Sequence, residues 1–134
     1  MAPRATEPQW LTRTVVDAIH ADQIREHGGL LGLRDEDGLE SALARPRHKW
    51  LYERTTDLAS LGAAYAFALA RSHPYNDGNK RVALLAMLTL LAINGQDVEA
   101  GDDDVLTAML ALAAGRITES DLAAWLRDRM VSIK

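Results

Sequence analysis

The residues His73-Pro74-Tyr75-Asn76-Asp77-Gly78-Asn79-Lys80-Arg81 bring an imidazole, a carboxylate, two amides, an ammonium and a guanidinium together within nine positions. An uncharged run begins at Val82, so the cluster stands at the start of a helix, where free backbone N–H groups and the helix dipole favour anions. That is the chemistry of a phosphate site. Lys80, Arg81 and the N–H groups suit phosphate oxygens, the Asp77 carboxylate suits Mg²⁺, and the His73 imidazole can take a proton from a hydroxyl. A plainer reading is a connecting loop in which Asp77 or Asn79 caps the next helix and Gly78 relaxes the turn. A bare turn, however, needs only two or three such residues.

The elements around this segment read as helices. Alanine and leucine far outnumber valine and isoleucine, and unbranched side chains lose little rotamer freedom in a helix. An all-α domain of about six or seven helices is expected. Thr12 is a natural N-cap for a first helix carrying Val15, Val16, Ile19 and Ile24, with Gly28-Gly29 as its stop. Asp35 or Asp37 opens a short helix through Leu39, Ala42 and Leu43, expected to end near Arg45 because Pro46 disfavours helical geometry in the residue before it. Thr56-Asp57 begins residues 58–71, and residues 80–94 close at Gly95; both are apolar nearly all round, which predicts a buried central hairpin carrying the polar loop. Asp102 to Asp104 read as a solvated cap cluster for a helix with Val105, Leu106, Met109 and Leu112. Thr118 to Asp121 has capping-box spacing for the last helix, with Leu122, Trp125 and Leu126. Residues 96–101 read as a connecting turn.

Composition narrows the function classes. The chain has 134 residues, 15 Lys+Arg against 19 Asp+Glu, a net charge of −4 and no cysteine. One domain over residues 10–134 is expected, preceded by a disordered lead over residues 1–9. The absence of cysteine excludes disulfides, thiolate zinc sites and cysteine nucleophiles. The mild negative charge argues against direct nucleic-acid binding. The longest uncharged run, residues 82–96, falls short of the roughly 20 residues that span a bilayer, so a cytoplasmic protein is expected, without membrane association.

The order of the polar cluster resembles the motif of the Fic/Doc family, His-Pro-Phe-x-Asp/Glu-Gly-Asn-Gly-Arg-x-x-Arg. Lys80 stands where most Fic enzymes have their second glycine and Leu84 where they have their last arginine; both departures match the Doc toxin branch. Pro74, Tyr75 and Gly78 lean toward the wider Fic pattern. The resemblance runs from about Leu11 to Arg129 and includes His27-Gly28-Gly29-Leu30 and Thr56-Asp57-Leu58. It implies a Fic fold and a Doc-like toxin that transfers the γ-phosphate of ATP, with Mg²⁺, to a protein hydroxyl. It further implies a threonine of elongation factor Tu as target, arrest of translation, and neutralisation by an antitoxin. By position, His73 is the general base, Asp77 the Mg²⁺ ligand, Gly78 and Asn79 phosphate-positioning residues, and Lys80 and Arg81 neutralisers of developing charge. Tyr75 anchors the loop in the core. The rival readings are a Fic-type adenylyltransferase and a non-catalytic helical binding module.

The remaining candidates are weaker. Residues 45–52 form the one basic and aromatic stretch. It is either a surface helix with Trp50 as core anchor or, by the resemblance in position to the flap of Fic proteins, a target-docking flap using Lys49, Trp50 and Tyr52. His20 and His27 lie on one helix face with no third ligand and read as surface residues. Arg71 reads equally well as a solvated helix end. No Ser or Thr is followed four residues later by Glu, as the inhibitory helix of many Fic enzymes requires. Restraint is therefore expected from another chain.

Overall fold

A computed structural model describes residues 6–133, and the helix signals in the sequence reappear as caps. α1 (Arg13–His27) starts at Thr12, whose hydroxyl accepts from the Val15 N–H, and stops at Gly28. α2 (Glu36–Tyr52) starts at Asp35, which accepts from the Gly38 N–H. α3 (Leu58–Ser72) is capped by Asp57, and α6 (Glu119–Arg129) by a full capping box between Thr118 and Asp121. α4 (Asn79–Ile93) and α5 (Asp102–Ala113) begin without a side-chain cap. Asp102, Asp103 and Asp104 are exposed and fall in the first turn of α5, with Gly101 as its N-cap, so they complement the dipole rather than bond the N-cap position.

The core forms around α3. Ten of its residues are buried, seven of them alanine or glycine, and short side chains let α2, α4 and α6 approach its axis. Tyr65 at its middle is fully buried. α4 packs along α3 as the expected antiparallel hairpin, burying Val82, Ala83, Ala86, Met87, Leu90 and Leu91. Each such large aliphatic side chain contributes roughly 1.5–3 kcal/mol when removed from water. The chain is mostly helical and forms one core, as expected for the Fic fold.

Two expectations about local structure are corrected. α2 does not end at Arg45; it runs on through a buried Pro46 to Tyr52. Burial of Trp50 against Trp10, with ion pairs from Arg45 and Lys49 to Glu119, outweighs the hydrogen bond that proline cannot donate. Residues 96–101 are not merely a turn. β1 (Gln96–Val98) pairs antiparallel with β2 (Met130–Ser132), in the register Gln96 to Ser132 and Val98 to Met130. Three-residue strands are too short to show a period-2 pattern, and the pairing partner is far off in sequence.

Of the expected disordered lead over residues 1–9, residues 1–5 lie outside the described residues. Gln9 is tied to Asn94 at the end of α4 by two hydrogen bonds. No helix among the described residues is long and apolar enough to cross a membrane.

Candidate active site

The polar loop joins the two central helices. α3 ends at Ser72, and His73 takes the left-handed conformation (φ 46°, ψ 56°), which costs a non-glycine residue about 1–2 kcal/mol. Arg34 braces this turn: its Nε and Nη2 donate to the His73 carbonyl at 2.9 and 2.6 Å, and Nη2 also reaches the Ser72 carbonyl. These are carbonyls that the end of a helix leaves without partners. The backbone N–H groups of Arg34 and Asp35 both donate to the Pro74 carbonyl.

Residues 30–35 therefore run beside the loop as a strap. Leu33 pairs with Tyr75, the Asn76 N–H donates to the Gly32 carbonyl, and the Leu30 N–H donates to Asp77 Oδ2 at 3.2 Å. Glycine is required on this strap and just before it. Gly29 and Gly32 have φ of +118° and +113°, and a Cβ at either would come within 2.8 Å of the side chain of Asp77 or Asn76.

Beneath the loop, Tyr75 is buried as expected, and its hydroxyl donates to Asp17 at 2.6 Å. Burial and the Asp17 carboxylate push that phenol well above its ordinary range, so it stays protonated. Asn79 closes the loop on itself, accepting from the Tyr75 N–H and donating to the Tyr75 carbonyl, both at 2.9 Å. Both polar ends of that amide are thus engaged, and Asn79 acts on the site through the shape of the loop.

The loop and α5 face each other across a cleft of about 610 Å³. One side carries His73, Asp77, Gly78, Lys80 and Arg81; the other is the apolar wall of Leu106, Met109 and Leu110. Gly78 is the N-cap of α4, and among the described residues no side chain bonds the first N–H groups of that helix. Lys80 and Arg81 are exposed and form no ion pair among the described residues, and the exposed His73 imidazole has no hydrogen-bond partner there. The arrangement therefore offers two free cations, an open helix N-terminus, a carboxylate and a free base on one wall. No group of three or more metal-ligating side chains converges among the described residues. A single carboxylate is the protein share of a Mg²⁺ that keeps waters and binds substrate phosphates, so Asp77 fits that ion.

Not every candidate joins this site. Lys49 pairs with Glu119 and Glu53, and its carbonyl accepts from Thr55, which places it by the N-terminus of α3. A helix of 15 residues spans about 22 Å, and His73 caps its other end. Trp50 is buried, as a core anchor would be, and Tyr52 is exposed at that distant end. Lys49, Trp50 and Tyr52 thus do not flank the loop; the strap does, with Leu30 and Leu31 exposed on it. Arg71 is exposed and lies over the Phe67 ring.

His20 is a further correction. It is 4% exposed, stacked on Tyr75 with ring centroids 3.9 Å apart, and its Nε2 lies 3.0 Å from the Asp77 carbonyl. The signal was present in the sequence, because Val16, His20 and Ile24 recur at four-residue spacing on one helical stripe. Arg34 carried no such signal, since its partners lie nearly forty positions away. His27 is exposed as expected.

Comparison with known proteins agrees with this geometry. The sequence model of the Fic/DOC family matches residues 10–91, which include the whole loop and the strap. The chain is 38% identical over 111 residues to "Protein kinase doc" of Escherichia phage P1, covering 82% of this chain and 86% of that protein. It is 42% identical over 80 residues to "Toxin Doc" of Mycolicibacterium smegmatis, covering 57% and 59% respectively. With the motif loop, its bracing strap and these likenesses in agreement, the chain belongs to the Fic/DOC family, on the side of the Doc toxins.

Proposed function

We propose that this chain is a Doc-like toxin that phosphorylates a hydroxyl of a translation protein, using ATP and Mg²⁺. The observation that carries the reading is the pairing of unengaged cations, Lys80 and Arg81, with the uncapped start of α4 beside a free imidazole. A cleft with one polar and one apolar wall suits a nucleotide, phosphates against the loop and base against Leu106 and Leu110. His73 takes the proton of the target hydroxyl as its oxygen bonds to the γ-phosphorus, and the bond from that phosphorus to the β-bridging oxygen breaks, releasing ADP. Lys80, Arg81 and the α4 N–H groups hold the charge that develops on the transferring oxygens. Mg²⁺ bound through Asp77 would neutralise further phosphate charge.

Lys80 and Leu84 favour phosphate over AMP transfer, because the first fills the space of a glycine and the second removes an arginine grip on outer phosphates. The target is a threonine of elongation factor Tu, guided past His73 by the strap at Leu30 and Leu31. An antitoxin restrains the toxin in the cytoplasm. The adenylyltransferase reading rests on His73-Pro74 and Asp77-Gly78-Asn79, which the wider Fic pattern shares. ATP labelled at the γ- or the α-phosphate separates the two, since a kinase moves only the first label to elongation factor Tu. Transfer of the α-label would overturn the kinase reading, and absence of any nucleotide or Mg²⁺ binding would leave a binding module.

A further inference from the structure

His20 is one of two buried polar side chains among the described residues, on a stripe of α1 that is otherwise apolar at Val16 and Ile24. A buried polar group is retained at a cost unless it is hydrogen-bonded, and this one is bonded to a single atom of the motif, the Asp77 carbonyl. A carbonyl oxygen only accepts, so Nε2 carries the proton and donates. The ring is held for that bond by parallel stacking on Tyr75 at an interplanar angle of 8°.

The peptide that His20 grips joins Asp77 to Gly78. Gly78 has φ +77° and is the N-cap of α4, so the orientation of this one peptide sets two things together. It sets where the Asp77 carboxylate stands, and it sets the direction in which the first N–H groups of α4 open. We propose that His20 is a positioning residue that locks the 77–78 peptide, aligning the Mg²⁺-binding carboxylate with the phosphate-binding start of α4. The carboxylate in turn receives the Leu30 N–H, so the lock extends to the strap. His20 touches no substrate; it acts through Asp77.

The proposal rests on the reading of Asp77 as a Mg²⁺ ligand, and its test has one arm independent of catalysis. His20→Phe keeps a flat ring on Tyr75 and loses the donor, whereas His20→Gln restores a donor of similar reach. The first arm is amide hydrogen exchange at Leu30, measured on the full chain without nucleotide. His20→Phe is expected to speed exchange at Leu30 about tenfold while the amides in the middle of α3 stay protected, and His20→Gln to return it toward the parent. The second arm is the Mn²⁺ concentration at half-maximal transfer from ATP, expected to rise about tenfold or more in His20→Phe and to recover in His20→Gln, with the KM for the protein target unchanged. Should His20→Phe not fold, His20→Met serves as the variant without a donor.

A folded donorless variant with Leu30 exchange and Mn²⁺ requirement within twofold of the parent overturns the proposal. So does a His20→Gln protein as impaired as the donorless one, which would make the ring and not the hydrogen bond the active feature. If the parent transfers no phosphate, the functional reading fails while the exchange arm still decides whether His20 holds the loop.

Discussion

The two ends of α3 are built from similar groups and differ in how those groups are satisfied. At its N-terminal end, Lys49 and Arg45 converge on Glu119, Arg127 pairs with Asp57 at 2.7 Å, and both nearby helix starts are capped by side chains. At its C-terminal end, Lys80 and Arg81 stand without carboxylate partners among the described residues, α4 starts without a side-chain cap, and His73 sits in a strained conformation held by Arg34. The first end closes its own charges, and its work is done when the chain folds. The second leaves donors, cations and a base open toward a cleft, which is how a fold reserves interaction energy for a ligand. Polar composition alone does not separate a structural cluster from a site; the presence or absence of internal partners does.

The sharpest way to break this comparison is to remove the free base. His73→Ala should lower phosphate transfer about 10²- to 10⁴-fold. It should leave thermal stability close to the parent, because the imidazole makes no hydrogen bond among the described residues; assay of labelled elongation factor Tu beside a melting curve reads both. Transfer that survives in a folded His73→Ala protein removes His73 as base.

Next is Lys80→Gly, which deletes an unpaired cation and should weaken phosphate transfer by about 10²-fold. Adding Leu84→Arg restores both the second glycine and the last arginine of the Fic motif and should shift the product from a phosphoryl to an adenylyl adduct, distinguished by mass spectrometry. Leu84 is half-buried on α4, so the double variant must first be shown to fold. Lys80→Gly acting as fast as the parent would show that this cation does not set the reaction.

A smaller effect is expected from Asp77→Asn. The amide oxygen can still accept from Leu30, so the strap should hold, while loss of charge should raise the Mg²⁺ requirement by about tenfold or more. Titration of activity with Mg²⁺ measures it, and an unchanged requirement would leave Asp77 as a loop-bracing residue only.

The smallest effect belongs to the closed end. Burial works against ionisation of Asp57, but the hydrogen bonds from Arg127 and Ser60 prevail and hold its carboxyl below the usual value of 3.8. A carboxylate depressed in the folded state stabilises the fold above its unfolded pKa, and that contribution is lost as pH falls through the folded value. The pair is part-exposed, so melting curves should show at most about 1 kcal/mol, declining below roughly pH 4 and flattened in Asp57→Asn. Transfer activity at neutral pH should not change. A large activity loss in Asp57→Asn would deny that the two ends of α3 have separate duties.

Much of this architecture was legible from local sequence. Thr12, Asp35, Asp57 and Thr118 announce helix starts because a cap bonds an N–H only two or three residues ahead. The buried hairpin was visible in the uninterrupted apolar runs on either side of the loop. Pro46 misled, since its local penalty is overridden by the packing of Trp50, and the β1–β2 pair was invisible because three-residue strands carry no period. The flap reading of Lys49, Trp50 and Tyr52 followed position in the family pattern, whereas the segment hydrogen-bonded to the loop is residues 30–35.

The sequence by itself determined the inventory of the candidate site, His73, Asp77, Lys80 and Arg81 at the head of a helix, because these groups lie within nine residues and their grouping survives any fold that keeps the loop. Only the tertiary structure decided which cations remain free. Lys49 finds Glu119 seventy positions on, and Arg127 finds Asp57 equally far back, while no distant carboxylate among the described residues reaches Lys80 or Arg81. Partnership across such separations depends on how helices pack, and helix packing follows from complementary surfaces and not from neighbouring letters. The same reason hid Arg34 and His20, whose hydrogen bonds to the loop span 39 and 57 positions.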